Sequence, residues 1–456
     1  MSNSGTQWRN VYVVGLLSIL DKLQFGYFFW SLWPYLRQLD SSASPSLVGI
    51  SFALTGLGEV VSSPLLGWYS DRSNGVLKGL LFSYGISLVG NVLYLFAKIL
   101  PEIVRLPAAL LARFIVGAGT ANRAICFSYT AGISTMEDRS RVVSIVNGAM
   151  AIGTAMGPGM QAAVNYMKTS EFDFFGLVID VNNVNIIMGI LTNLMCVILV
   201  SIFLDDRQVE VKKPKPKKND VEAGGEPPAM DLGLDKIAIG ICILARINRF
   251  FINANFKSIG LLYSEVMFDY TQIQALVVNS NISVVTSILV VILFFICGFT
   301  NVTKRLNDRI VTIACLSLTL VYHLLTMPWP FMEGILPYCQ RDNITADAKP
   351  SWCDSIPPIS EYVYFVGYVL INGLVLPLSG NSTKIILSKL LGKRKQGKIQ
   401  GLAQSIGSTA KVLGPILLSF LFTHFGPQPN WILEILFLAV LIGLWVVTYK
   451  RMKTPS

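Results

Sequence analysis

Apolar residues run through this chain in stretches of about 20, separated by short polar connectors, from near the start to within a few residues of the end. Each stretch is long enough to cross a hydrocarbon core of roughly 30 Å as a helix. Inside lipid every backbone N–H and C=O needs an internal partner, so such stretches must be helical. Twelve spans emerge, at about 11–36, 46–70, 77–97, 106–130, 142–165, 184–204, 236–263, 271–299, 309–328, 360–388, 399–423 and 431–449. Between the sixth and seventh lies a stretch rich in Lys, Pro, Glu and Gly that cannot bury a core, which marks a solvated linker. The pattern predicts an all-α membrane protein of twelve transmembrane helices in two six-helix pseudo-symmetric bundles. Residues 1–204 form the first bundle, 205–235 a cytosolic linker and 236–456 the second.

Composition agrees. Of 456 residues 52% are hydrophobic and 14% charged, against roughly 25% charged in soluble domains. The first span is longer than the core of a signal peptide and carries Asp21 and Lys22, so it reads as a retained span. A net charge of +10 raises the possibility of nucleic acid, but the basic residues fall in the connectors. With the N-terminus in the cytosol, 23 of the 37 Lys and Arg lie on the cytosolic side, six on the other and eight within spans. That is the positive-inside pattern, with both termini cytosolic. The expected partners are therefore the lipid bilayer and a small solute, with no nucleic acid, and the chain is expected to act as a monomer.

The far-side loop 328–359 carries Cys339 and Cys353, the two cysteines outside apolar stretches, and a disulfide between them is expected. A loop of this size gives it about 3 kcal/mol. Beside it Asn343 begins a glycosylation sequon on the matching side, whereas the sequons at Asn281, Asn301 and Asn381 fall within spans or near the cytosol. Cys126, Cys196, Cys242, Cys297 and Cys315 read as small buried hydrophobes.

Charges within spans are the candidate chemistry, since each costs about 2.5–3.5 kcal/mol near mid-membrane and so usually pairs or lines a cavity. The candidates taken from them are Asp21 and Lys22 in span 1, Glu59 in span 2, Arg113 and Arg123 in span 4, Arg246 and Arg249 in span 7, and Lys411 in span 11. Arg246 and Arg249, three apart, share one helix face. Guanidinium on opposing walls suits carboxylate, phosphate or chloride. The competing possibility is that these arginines pair with Asp21 and Glu59 and only hold the bundle together. Arg123 and Lys411 lie close enough to the cytosol to snorkel. Asp21 or Glu59 is the expected proton site if transport is proton-coupled. His323 in span 9 reads as a satisfied packing residue. There is no metal-ligand spacing, phosphate-cradling loop or nucleophile with a base partner, so neither an enzyme nor a cofactor is expected.

Short signatures narrow this further. "GWYSDRSNGVLK" between spans 2 and 3, "ARFIVGAG" in span 4 and "GTAMGP" in span 5 resemble those of the major facilitator superfamily. That resemblance implies a gating role for Gly67, Asp71 and Arg72, with Asp71 latching onto the start of span 11. It implies the same for Gly153, Gly157, Pro158 and the span-11 Lys411. It also implies that spans 1, 4, 7 and 10 line a central cavity in which Arg113, Arg123, Arg246, Arg249 and Lys22 bind substrate. Internal similarity fits two repeats: Gly157-Pro158 answers Gly414-Pro415, and Gly67 answers Gly298.

"SLWPYLRQLD", "SSPLLGW", "SYTAGIST", "LSKLLGKRKQG", "TAKVLGP", "THFGP" and "YKRM" resemble the endolysosomal major-facilitator proteins linked to neuronal ceroid lipofuscinosis. Those proteins share the two-cysteine loop, and are associated with anion movement and lysosome homeostasis. The chain departs from them at Phe127, where the family has arginine, at Asn253, where it has glutamate, at Lys411, where it has arginine, and at Asp21 and Lys22 in a span apolar in the relatives. A diverged member is expected. The resemblance implies a secondary transporter of a small anion in the lysosomal or endosomal membrane, the plasma membrane being the alternative address. Rival functions are an anion channel on the same scaffold and a non-transporting receptor or scaffold.

Overall fold

In a computed structural model of the chain, residues 5–40, 46–72, 76–166, 172–174, 177–179, 181–205, 235–300, 302–340, 351–392 and 395–452 are described. Seven helices come first: α1 Trp8–Leu39, α2 Ser46–Arg72, α3 Val76–Phe96, α4 Glu102–Gly119, α5 Asn122–Ile133, α6 Arg139–Tyr166 and α7 Val181–Phe203. A small antiparallel hairpin, β1 Phe172–Phe174 with β2 Leu177–Ile179, precedes α7. Then come α8 Lys236–Phe268, α9 Gln272–Phe299, the short α10 Val302–Arg305, α11 Asp308–Thr326, α12 Glu361–Leu370, α13 Leu376–Leu391, α14 Gly397–Phe425 and α15 Gln428–Val447. Among the described residues ten helical segments are long and apolar enough to cross a membrane. α1 and α6, at 32 and 28 residues, are of comparable length.

Local chemistry sets the ends and breaks. Asp235 caps α8 by accepting from the backbone N–H of Ile237 and Ala238, both at 3.1 Å. Thr271 and Gln274 form a capping box on α9. The fourth span is split at Thr120–Ala121 into α4 and α5. The tenth contains a π-turn, Ile371–Val375, between α12 and α13. Pro377 explains it: with no N–H and a ring that crowds the carbonyl four residues back, it cannot continue the regular ladder.

Helices α1–α7 pack around Leu17, Leu80 and Val146 at one level and Tyr35, Leu36 and Ala112 at another. Helices α8–α15 pack around Leu438 and Trp445, and around Tyr263, Phe422 and Trp431. Residues 206–234, which hold almost all of the expected linker, lie outside the described residues.

Glycines bring the two groups together. A Cβ on Gly67 of α2 would stand 2.3 Å from the carbonyl oxygen of Gly397 on α14, so the two backbones touch there. A Cβ on Gly298 of α9 would come within 2.9 Å of Ile145 on α6, the related crossing between the groups. Within each group, Gly157 of α6 abuts Gly26 of α1, and Gly414 of α14 abuts Ala254 of α8. The sequence pairs Gly67/Gly298 and Gly157/Gly414 thus occupy matching contacts.

Candidate functional site

A cavity of about 1070 Å³ lies between the two groups. Its wall draws on matching helix faces. On α8 the side chains of Arg246, Arg249, Phe250, Asn253 and Lys257 form a stripe at helical spacing. Asn372, Gly380, Asn381 and Lys384 supply the α13 side, and Lys22, Glu59, Arg123 and Asn147 face them from α1, α2, α5 and α6. Gln404 and Lys411 come from α14. The cavity wall carries seven basic side chains (Lys22, Arg123, Arg246, Arg249, Lys257, Lys384 and Lys411) and a single acidic one, Glu59.

Glu59 is the hub of a network that crosses between the groups. Its carboxylate lies 3.3 Å from Nη1 of Arg123 and 3.4 Å from Nζ of Lys411. Gln404 also donates to it, and Arg246 donates in turn to the Gln404 amide oxygen. A second bridge has only neutral acceptors: Lys384 Nζ donates to Asn147 Oδ1 at 2.6 Å, Asn147 donates to Asn381 at 2.8 Å, and Asn381 donates to Ser144 at 2.9 Å. The Phe250 ring lies 4.4 Å from Lys411 Nζ and 4.8 Å from the Arg249 guanidinium carbon, while Phe127 lies 4.2 Å from Lys384 Nζ. Such cation–π contacts are worth about 0.5–2 kcal/mol and supply no formal counter-charge themselves.

At the end where α1 begins and α15 finishes, hydrogen bonds tie the two groups together. There the Asp71 carboxylate accepts from the first backbone N–H groups of α14, Gly397 at 3.0 Å and Lys398 at 2.7 Å. This is the favoured place for an anion on a helix. Lys395 donates to the Asp71 carbonyl at 2.5 Å. Arg139, 2% exposed, donates to the carbonyls of Ser388 at 3.1 Å and Gly392 at 3.3 Å, and Arg141 to that of Gly298 at 2.8 Å. The hydrogen bonds that cross from Glu59, Val60, Asp71, Arg139, Arg141, Ser144 and Asn147 to the second group lie between this end and the level of Glu59 and Asn147. In the other direction the wall continues through Gly49 and Ile50 near the start of α2, Lys257 and Ser258 on α8, and Ser419 near the end of α14.

Several expected site residues stand elsewhere. Arg113 does not line the cavity; it is 3% exposed, on the far side of the α4–α5 break, 5.3 Å from Phe28 and 5.8 Å from Tyr94. Asp21 also lies off the wall, accepting from Asn122 at 3.0 Å within the first group. Arg72 stacks on Trp68 at 5.2 Å, while Asp71 takes backbone donors. Gly153 and Gly157 serve close packing of α6 on α1, a Cβ on Gly153 falling 2.2 Å from the Ile19 carbonyl. The Pro158 side chain and Asn343 lie outside the described residues. Lys411, expected as a gating residue, is part of the cavity wall.

Cys339 and Cys353 are bonded, with Cα atoms 5.8 Å apart, and the other five cysteines are buried and free. His323 is satisfied, its ring bonding to the Thr319 carbonyl at 2.7 Å and to Glu434 at 2.6 Å.

Sequence reasoning passed over Lys257, Lys384, Gln404 and Asn147. Lys257 had a signal, standing two turns beyond Arg249 on the same face with Asn253 between. Gln404 and Asn147 had none, because an amide in an apolar helix does not announce which neighbour it meets.

The family model for the Major Facilitator Superfamily matches residues 23–339. "Major facilitator superfamily domain-containing protein 8" of Xenopus laevis is 26% identical over 98% of this chain and 92% of its own length, in line with a diverged member of that group. Among solved structures, the human organic anion transporter MFSD10 (TETRAN) superposes with a TM-score of 0.63 at 15% identity, covering 96% of this chain and 99% of that one. FucP, a major facilitator transporter in the outward conformation, gives 0.66 at 12% identity, with 98% and 99% covered.

Proposed function

Because this chain belongs to the major facilitator superfamily, we propose that it is a secondary transporter that carries a small anion across the endolysosomal membrane by alternating access. One observation carries the choice of anion: seven basic side chains and one carboxylate share the wall of a cavity between the two helix groups. Guanidinium and ammonium groups held in a partly dry space attract an oxyanion far more strongly than they would in water.

The distribution of contacts supports the alternation. The terminus-bearing end is held by bonds of modest individual strength to carbonyls and a helix N-terminus, which can break and reform. Opening that end requires Asp71, Arg139 and Arg141 to release α14, α13 and α9. An anion seated among the cations would compete with Glu59 for Arg123 and Lys411, loosening the link between the two groups at mid-depth. Binding and release of the latch are thereby joined.

The address rests on the endolysosomal signatures. The cytosolic placement of the termini rests on the Lys and Arg bias, and the Cys339–Cys353 bond in the loop after α11 fits an oxidising lumen on the opposite side.

The experiment is reconstitution into liposomes with a panel of labelled anions and an imposed pH gradient. Anion carriage predicts saturable uptake by the wild type and loss of most of it in Arg246→Ala. Uptake of neutral solutes only, or anion uptake untouched by Arg246→Ala, would remove the proposal.

A further inference from the structure

We infer that the cavity selects an organic anion with at least two oxyanion groups on an apolar body, over halide and over monovalent anions; this rests on the anion-carrier reading above and deepens it. The first support is the charge balance. Arg123 and Lys411 share Glu59. The other five cations, Lys22, Arg246, Arg249, Lys257 and Lys384, have no carboxylate partner among the described residues. Arg246 and Lys384 rest on neutral amides, and Lys22, Arg249 and Lys257 make no side-chain hydrogen bond there. The buried Nε of both Arg246 and Arg249 lacks a partner. A monovalent ion would neutralise one such group and leave the rest unmatched in a low-dielectric space.

The second support is placement. The Arg249 guanidinium lies against Gly380, where a Cβ would stand 2.4 Å from Nη1, so only glycine leaves it room. Lys384 follows Gly380 by one turn on the same face of α13, and Arg246 precedes Arg249 by one turn on α8. These three cations form a floor. Lys257 stands two turns from Arg249 towards the open end, about 12 Å along the axis. One oxyanion on the floor and another nearer Lys257 would both find donors. Phe25, Phe127, Phe250 and Phe294 on the same wall supply apolar surface, and the volume of about 1070 Å³ has room for an organic ligand.

The test uses the purified full-length protein in phosphatidylcholine nanodiscs and calorimetric titration of matched probes: benzoate against isophthalate, hexanoate against adipate, chloride, and neutral isophthalamide. The dianion of each pair should bind about tenfold tighter than its monoanion, as expected when a second charge-assisted contact is made. Lys384→Gln should bring each ratio close to one, with Lys257→Gln as the second variant should the first fail to fold, while exposed Lys450→Gln should leave the ratios unchanged. Equal affinities within both pairs, or chloride binding as tightly as isophthalate, overturns the selectivity and leaves the anion carrier standing. Binding of isophthalamide with no binding of any anion overturns both.

Discussion

Glu59→Gln is the most revealing single change, because this carboxylate holds the place that a substrate oxyanion would take. The substitution keeps the size of the side chain and removes its charge. Arg123 and Lys411, at 3.3 and 3.4 Å, then lose their shared counter-ion. Breaking a buried ion pair costs about 3–5 kcal/mol. The Lys411 side chain is 33% exposed, against 13% for Arg123 and 7% for Glu59, so water screens one arm and the lower end, about 3 kcal/mol, is expected for the empty protein. The two freed cations should then draw the anion more strongly, tightening its binding about tenfold, or about 1.4 kcal/mol. Thermal denaturation of purified wild type and Glu59→Gln, each over a concentration series of isophthalate, measures both effects in one experiment. The variant should start less stable and gain more from the anion than the wild type does. A variant as stable as wild type, or one destabilised but no more responsive to the anion, would refute the competition between Glu59 and substrate.

Other predictions follow from the same contacts. Asp71→Ala removes two charge-assisted bonds to the start of α14, and should shift the population by about 2–3 kcal/mol towards opening at the terminus-bearing end; spin labels on the ends of α2 and α14, read by pulsed electron resonance, should move apart. Gly67→Val should do the same sterically, as its Cβ would collide with the Gly397 carbonyl, whereas Gly85→Ala, which meets nothing within 4 Å, should not. Replacing Cys339 and Cys353 together by Ser should lower stability by about 3 kcal/mol without changing anion affinity, since the pair lies away from the cavity. Glu434→Ala leaves the fully buried His323 ring without its 2.6 Å partner and should cost about 1–3 kcal/mol in denaturation experiments, with substrate binding at an intact cavity unchanged.

The helices were legible in the chain because lipid allows so few alternatives. A 20-residue apolar stretch has one way to satisfy its backbone, the far-side cysteine pair followed from topology, and the Asp71 position beside α14 came from the resemblance of its motif. Side-chain direction was not legible to the same degree. Arg113 and Arg123 sit in one apolar span, yet the break at Thr120–Ala121 puts the first against Phe28 and Tyr94 and the second on the cavity wall. Likewise Asp21 and Lys22 are neighbours in sequence, and a helix sends neighbours roughly 100° apart, so one meets Asn122 and the other the cavity. The glycines of span 5 carry the spacing of a hinge, but what they accommodate is the backbone of α1. Periodicity identifies a face; which element that face meets is decided by packing between segments far apart in the chain.

The most direct measurement is trans-stimulation in proteoliposomes, following uptake of a labelled anion into vesicles preloaded with the same unlabelled anion or left empty. A site that faces one side at a time returns faster when loaded, so preloading should accelerate initial uptake in the wild type and have no effect once Arg246 and Arg249 are both replaced by Ala. Uptake that rises without saturation and ignores what the vesicles contain would contradict alternating access and point to a continuous anion pore.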